Sequence, residues 1–235
     1  MADDLIPIRE RGSRRQQLPE EVASYVREMI ISGTVRPGDF LRMEPIAEAV
    51  GVSNTPVREG LLALRSQGFV QLVPRRGFVV ASFTPQDVRD LFWAQAQLAG
   101  ELAARAAKKM TPELADTLEA NLAAYEKALA EGNEDGVAQL GYAFHREINL
   151  AADSYRLALL LGSIARHLPN RFYATIEGRA AESRDEHPLL VDALRRHDSR
   201  KARTLMEKHI LGGADHLVEI LEQRGLWAND RESVS

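Results

Sequence analysis

The 235-residue chain contains no cysteine, which excludes disulfides, thiolate metal sites and cysteine-based catalysis. Aromatic residues make up only 6%, so a core must be built mostly from aliphatic side chains. No run approaches the ~20 apolar residues of a membrane span. The N-terminus, MADDLIPIRE, is acidic and lacks an apolar stretch, so no signal peptide is expected there. A cytoplasmic protein with no membrane partner is the expectation. No internal period marks a helical repeat. Lysine is absent from residues 9–80, where eleven arginines against eight acids leave +3. Residues 81–235 carry nineteen bases and twenty-four acids, leaving −5. A basic first third beside an acidic remainder fits a DNA-reading module joined to a different one, and fits ordinary surface variation equally well.

What is present is 45% apolar content, enough for a packed core. The most informative stretch is Gly51 to Val70, GVSNTPVREGLLALRSQGFV. Thr55 is a candidate N-cap with Pro56 in the first helical position. Val57, Leu61 and Leu64 recur at helical spacing as one apolar face, and Gly68 ends the helix. Ser53, Asn54, Thr55 and Arg58 lie off that face, at the start. An amide, hydroxyls and a guanidinium there are suited to base edges and phosphates.

Upstream, Leu18 to Ser32 has a helical apolar pattern in Val22, Val26, Met29 and Ile30. TVRPGDFL is a turn and Glu44 to Val50 a short helix, so the Gly51 turn makes a helix-turn-helix. Phe69 to Ala81 is a hairpin with Pro74, Arg75, Arg76 and Gly77 at its tip. A helix-turn-helix followed by such a hairpin predicts a winged helix, its wing arginines set against the DNA backbone or minor groove. Residues 1–17, with the run RERGSRRQQ, are expected to be a disordered arm. The winged helix spans 18–81.

From residue 84 alanine and leucine dominate. Helices are expected at about 84–109, 111–130, 134–151, 154–168, 170–178, 183–197 and 199–223. Thr84, Thr111, Asp153, Asp198 and Ser199 are candidate caps, with Gly132, Pro169 and Gly225 as stops. Short links between seven helices imply an antiparallel bundle over 84–224, with a frayed tail over 225–235. The fold class is therefore mainly α: an N-terminal winged helix-turn-helix with a small β-hairpin wing, then an all-helical antiparallel bundle.

These residues resemble a known family. RPGDFL, GVSNTPVREGL and PRRGFVV resemble the GntR family of bacterial transcription regulators. FHREINLAA, HPLLVDAL and ARTLMEKHI resemble the ligand-sensing FCD domain of its FadR-like subgroup. The resemblance implies a homodimer on an inverted-repeat DNA operator, controlled by a small carboxylate effector, with repression the commoner outcome. It places Asn54, Thr55 and Arg58 where the family touches DNA, and Arg76 and Gly77 at the wing tip. Asn54 stands where many relatives carry arginine; asparagine favours a bidentate pair with adenine, whereas arginine favours guanine. Glu44 replaces an arginine that contacts DNA in the fatty-acid regulator. Gly60 stands where relatives usually carry alanine, and should cost the helix about 0.5–1 kcal/mol.

Of six histidines, His145, His187 and His209 lie on three expected helices, each with apolar neighbours at helical spacing. Many FCD domains hold a divalent metal, zinc or similar, through three histidines and an aspartate one turn before the first. The histidine positions match, and the aspartate position is Gly141 here. Three imidazoles can hold zinc with positions open for water or a carboxylate. They can equally bind an organic acid without metal, or serve as hydrogen-bonded core. Asn149, one turn after His145, is a candidate oxygen ligand or effector contact. Arg166, Arg171 and Arg179 are candidate carboxylate clamps, with Arg171 preferred for the effector site. Gln95 replaces an arginine that relatives carry on the first sensing helix, and is a further effector-contact candidate. Phe92, Trp93, Phe144, Phe172 and Tyr173 are expected to fill core. Two alternative functions remain at this level: a constitutive or architectural DNA-binding protein with a vestigial sensor, and a metal-dependent hydrolase.

Overall fold

A computed structural model describes residues 8–167, 181–223 and 227, with side chains described from residue 17 and, after the gap, from residue 186. The chain divides into two compact units, Met1–Thr84 together with Leu221–Ser235, and Pro85–Ile220.

The first unit opens with α1, Ile8–Ile31. The helix therefore begins ten residues before the expected start at Leu18, and the arginine-rich segment from residue 8 is continuous with it. Pro19 lies inside it, removing one backbone hydrogen bond without ending the helix. Val22, Val26 and Ile30 are buried as expected, and so is Arg27. The Arg27 guanidinium donates to Gln67 Oε1 at 2.9 Å. β1, Phe40–Leu41, is a strand where only a turn was expected. α2 follows at Met43–Val50 and α3 at Asn54–Ser66.

Ser53, not Thr55, is the N-cap of α3, and it makes no side-chain capping bond. Pro56 is thus the third helical residue. It fits there because no first-turn N–H has an intrahelical acceptor. Val57, Leu61 and Leu64 are fully buried. At the other end Gly68 takes φ +82°, its N–H donating to Arg65 O at 3.1 Å while Phe69 N–H donates to Leu64 O at 3.0 Å. This is a Schellman end, as Gly68 implied.

β2, Val70–Val73, and β3, Gly77–Val80, form the wing. Because β1 pairs with β3, the sheet is three-stranded and antiparallel in the order β1-β3-β2, rather than a lone hairpin. Two residues of strand were too few to show an alternating pattern. The register sets Phe40 opposite Val79 and Leu41 opposite Phe78. Leu41, Val70, Phe78 and Val80 face the core. The side chain of Trp227 donates from Nε1 to Phe83 O at 2.6 Å, within this unit.

The second unit contains α4 Pro85–Lys108, α5 Pro112–Ala130, α6 Glu134–Ala151, α7 Tyr155–Ala165, α8 Ala181–Arg195 and most of α9, Ser199–Gln223. The helix expected at 170–178, the stops Pro169 and Gly225, and the tail beyond 227 lie outside the described residues. Thr111 caps α5 by accepting from Leu114 N at 3.3 Å. Asp198 caps α9, accepting from Lys201 N at 2.9 Å. Asp153 is not a cap: Ser154 holds that position before α7, and the Asp153 carboxylate pairs with Lys109 Nζ at 2.6 Å. Leu102, Leu118, Phe144, Ile148, Leu190, Leu194 and Met206 form the core. Phe92 is buried as expected, but Trp93, one residue on, is 60% exposed because α4 turns it outward. Phe172 and Tyr173 lie outside the described residues.

Candidate DNA-reading surface and candidate metal centre

α3 buries Pro56, Val57, Gly60, Leu61 and Leu64. By helical spacing the opposite face is left open, and Ser53, Asn54, Thr55 and Arg58 are all exposed on it. Neither Asn54 nor Arg58 has a hydrogen bond or ion pair among the described residues, so their donors are available to a ligand. The same end of the helix leaves first-turn N–H groups without intrahelical acceptors, a favourable place for phosphate. At the wing tip Arg75 and Arg76 are exposed and Gly77 half-buried. Arg76 N–H donates to Val73 O at 3.1 Å, closing a turn over Pro74 and Arg75. Arg75 takes φ +63° there, a left-handed conformation normally given to glycine or asparagine. A long cation is thus held at the tip at a conformational cost. Glu44 is exposed on α2.

Gly60 has a role that its helix propensity hid. A Cβ there would lie 2.7 Å from Pro19 O and 2.9 Å from Val22 Cγ1. The residue is small because α1 crosses α3 at that point, which corrects the expectation of a helix merely softened by glycine.

In the second unit His145 of α6, His187 of α8 and His209 of α9 come together. His209 Nε2 lies 3.2 Å from His145 Nε2 and 3.3 Å from His187 Nε2. Nitrogens bound tetrahedrally to zinc at the usual 2.0–2.1 Å sit about 3.3 Å apart; the two His209 separations match that spacing, and all three ligand nitrogens lie within 4.8 Å of one another. The His187 ring stacks on Phe144 with centroids 4.4 Å apart. Burial, then the neighbouring His209, pushes the His187 imidazole down to about 3. Burial likewise holds His145 well below the usual histidine value. Both rings are therefore neutral at pH 7, with lone pairs available to a Lewis acid.

Glu186 completes the arrangement and was not foreseen. Its Oε2 lies 3.2 Å from His209 Nδ1, and Lys208 Nζ donates to its Oε1 at 2.9 Å. The hydrogen bond from His209, with help from Lys208 and against burial, holds the carboxyl at about 2. As an anion Glu186 can only accept a hydrogen bond from His209 Nδ1, the usual outer partner of a metal-binding histidine, while the Nε2 side of that ring faces the other two. In sequence Glu186 is an ordinary acid beside His187, and only helix packing reveals its partner.

Gly141 is buried one turn before His145, so no carboxylate reaches the centre from that position. Asn149, one turn after His145, has a buried Oδ1 with no hydrogen-bond partner among the described residues. His216 on α9 has a buried Nε2 in the same condition; it was overlooked because nothing in its local sequence sets it apart. Gln95 is buried on α4. α4 runs antiparallel to α9, with Arg89 Nε 3.0 Å from Asp215 Oδ1 and Arg203 paired with Glu101. Gln95 falls between these contacts, level with the His209 turn. Arg171 and Arg179 lie outside the described residues, and Arg166 ends α7 as its C-cap.

Comparison with known proteins agrees with this division. The family model for bacterial regulatory proteins of the gntR family matches residues 18–80, and that of the FCD domain matches residues 90–212. An uncharacterised HTH-type transcriptional regulator of Bacillus subtilis, YdhC, is 28% identical over 85% of this chain and 91% of its own length. The HTH-type transcriptional repressor RspR of Escherichia coli is 21% identical over 92% of this chain and 95% of its own. The solved structure of E. coli McbR/YncC has the same fold, with a TM-score of 0.62 and 22% identity, covering 88% of this chain and 98% of that one. These relatives are DNA-binding regulators rather than enzymes, which sets aside the hydrolase reading. Among the described residues no helix is long and apolar enough to cross a membrane. The chain belongs to the gntR family of bacterial regulatory proteins, with a helix-turn-helix domain followed by an FCD domain.

Proposed function

We propose that this protein is a ligand-responsive transcription repressor that binds an inverted-repeat operator as a homodimer and is released from it by a small carboxylate metabolite. The observation that carries the reading is the open face of α3, where Asn54, Thr55 and Arg58 are exposed without competing partners among the described residues; the wing arginines of the same unit are exposed too. Arg58 and the wing position the head on phosphates, and Asn54 reads a base edge, with adenine its natural partner. Twofold symmetry of a homodimer matches twofold symmetry of the operator.

His145, His187 and His209 are the residues that would hold a divalent cation, and such an ion would supply an electrophilic site for a carboxylate oxygen. Gly141 leaves fewer protein ligands than the family pattern, so more positions remain for water or effector. Asn149 and Gln95 are the side chains proposed to meet the rest of the effector, with Arg171 as its clamp. An effector shifts the equilibrium only by its differential affinity for the DNA-bound and free arrangements.

The test is a gel-shift series in increasing salt, using DNA from upstream of the protein's own gene against random duplex. The expected result is a clear preference that Arg58→Ala abolishes. Equal affinity for both duplexes would overturn the reading. If DNA preference holds but neither divalent metals nor carboxylates shift the melting temperature, the protein is a constitutive DNA binder with a vestigial sensor, the reading that Gly141 favours.

A further inference from the structure

We propose that Phe40 is a positioning residue for DNA binding: its ring holds the Arg76 guanidinium over the outer face of the sheet, ready for the phosphate backbone. The inference rests on the reading of the wing as a DNA contact and adds a residue from outside both the recognition helix and the wing.

Strand alternation puts Phe40 on that face. Leu41, Phe78, Val70 and Val80 point inward and are buried. Their neighbours Phe40, Val79 and Gln71 therefore point outward, in one row across β1, β3 and β2. Phe40 is 41% exposed, so this large aromatic, on a strand of two residues, does little for the core. What it does contact is Arg76, whose Cζ sits 4.5 Å from the ring centroid. That is well inside the ~6 Å range over which a guanidinium is attracted to an aromatic face.

The geometry has a consequence for binding. Arg76 extends from a turn at the end of a hairpin, and a free arginine there loses many rotamers when it meets DNA. This cation–π contact settles much of that ordering before DNA arrives. It also places no oxygen acceptor on the guanidinium, so its N–H edge stays open to donate to phosphate oxygens. No ion pair to Arg76 exists among the described residues, so no carboxylate competes for that edge. Arg75 is held differently, by its backbone at φ +63°. The two wing cations are thus prearranged by separate devices, one in the turn and one on an aromatic platform.

The experiment is a double-mutant cycle on the full chain. The probe is a duplex selected from random sequence by the wild-type protein, and affinity is measured at fixed salt. Phe40→Leu keeps an apolar side chain but removes the ring's negative face, and is expected to weaken binding about two- to five-fold per wing. Phe40→Trp keeps or improves affinity. In an Arg76→Ala background Phe40→Leu has no further effect. Melting temperatures of each variant report whether the sheet has been disturbed, and rescue by tryptophan separates positioning from packing. If Arg76→Ala weakens binding while Phe40→Leu does not, the positioning role is refuted and the DNA-binding wing stands. Additive effects of the two substitutions refute it equally. If Arg76→Ala binds as tightly as wild type, the wing reading fails and takes this inference with it.

Discussion

Gly60→Ala should destabilise this protein, contrary to what the same change does in most helices. By intrinsic propensity alone, alanine in a helix interior gains about 1 kcal/mol over glycine. Here the added methyl would lie 2.7 Å from Pro19 O, 2.9 Å from Val22 Cγ1 and 3.0 Å from Val22 Cβ. The nearest obstacle is a backbone carbonyl of α1, which cannot rotate away like the end of a side chain. Overpacking of this kind costs about 1–3 kcal/mol, so the net change is a loss of about 0–2 kcal/mol. The internal control is Gly212→Ala on α9, where a new Cβ meets nothing within 4 Å and the full gain of about 1 kcal/mol should appear. Thermal melts of the two variants should therefore move in opposite directions or differ clearly. In a chain of this size 1 kcal/mol corresponds to roughly 2–4 °C. The Gly60 variant should also bind DNA more weakly, because relief of the clash moves α3 away from α1. If Gly60→Ala melts as high as Gly212→Ala, the close crossing of α1 and α3 is wrong.

Three further outcomes follow from the same geometry. Zinc at 100 times its dissociation constant should add about 2.7 kcal/mol of stability; chelator or His187→Ala should remove the gain, and Glu186→Gln should weaken zinc binding about 10- to 100-fold in a calorimetric titration. In the metal-free protein His187 sits at about 3 and His145 well below its usual value, so the fold takes up fewer protons than the unfolded chain below pH ~6.5. Stability is then present above that pH and declines as pH falls from 6.5 towards 4.5, before Glu186 contributes; equal urea midpoints at pH 7.5 and 5 would count against it. Arg75→Gly relieves a left-handed arginine worth about 1–2 kcal/mol against a glycine entropy cost of about 0.5–1 kcal/mol. The melting temperature should hold or rise while DNA affinity drops, and a fall in both would refute the strained-tip account.

Much of this protein could be read from its residues because local chemistry decided it. Val57, Leu61 and Leu64 repeat at a spacing that only a helix buries together, and all three are buried. Pro74 and Gly77 bracket a tip that only a hairpin accommodates. Thr111 and Asp198 cap helices in the way their hydrogen-bonding groups require. The three histidines were recognisable as candidates through a resemblance in their surrounding segments. What the chain order could not reveal depends on partners distant in sequence. Gly60 looked like a weakness until α1 was laid against it. β1 exists because two residues find β3, not because they favour a strand. Glu186 becomes the partner of His209 only when α8 meets α9, and Phe40 becomes a platform for Arg76 only across the sheet. Propensity and spacing act within a few residues and so are written in the sequence, whereas steric fit, hydrogen-bond partnership and cation–π contact arise between groups that only the tertiary fold brings within reach.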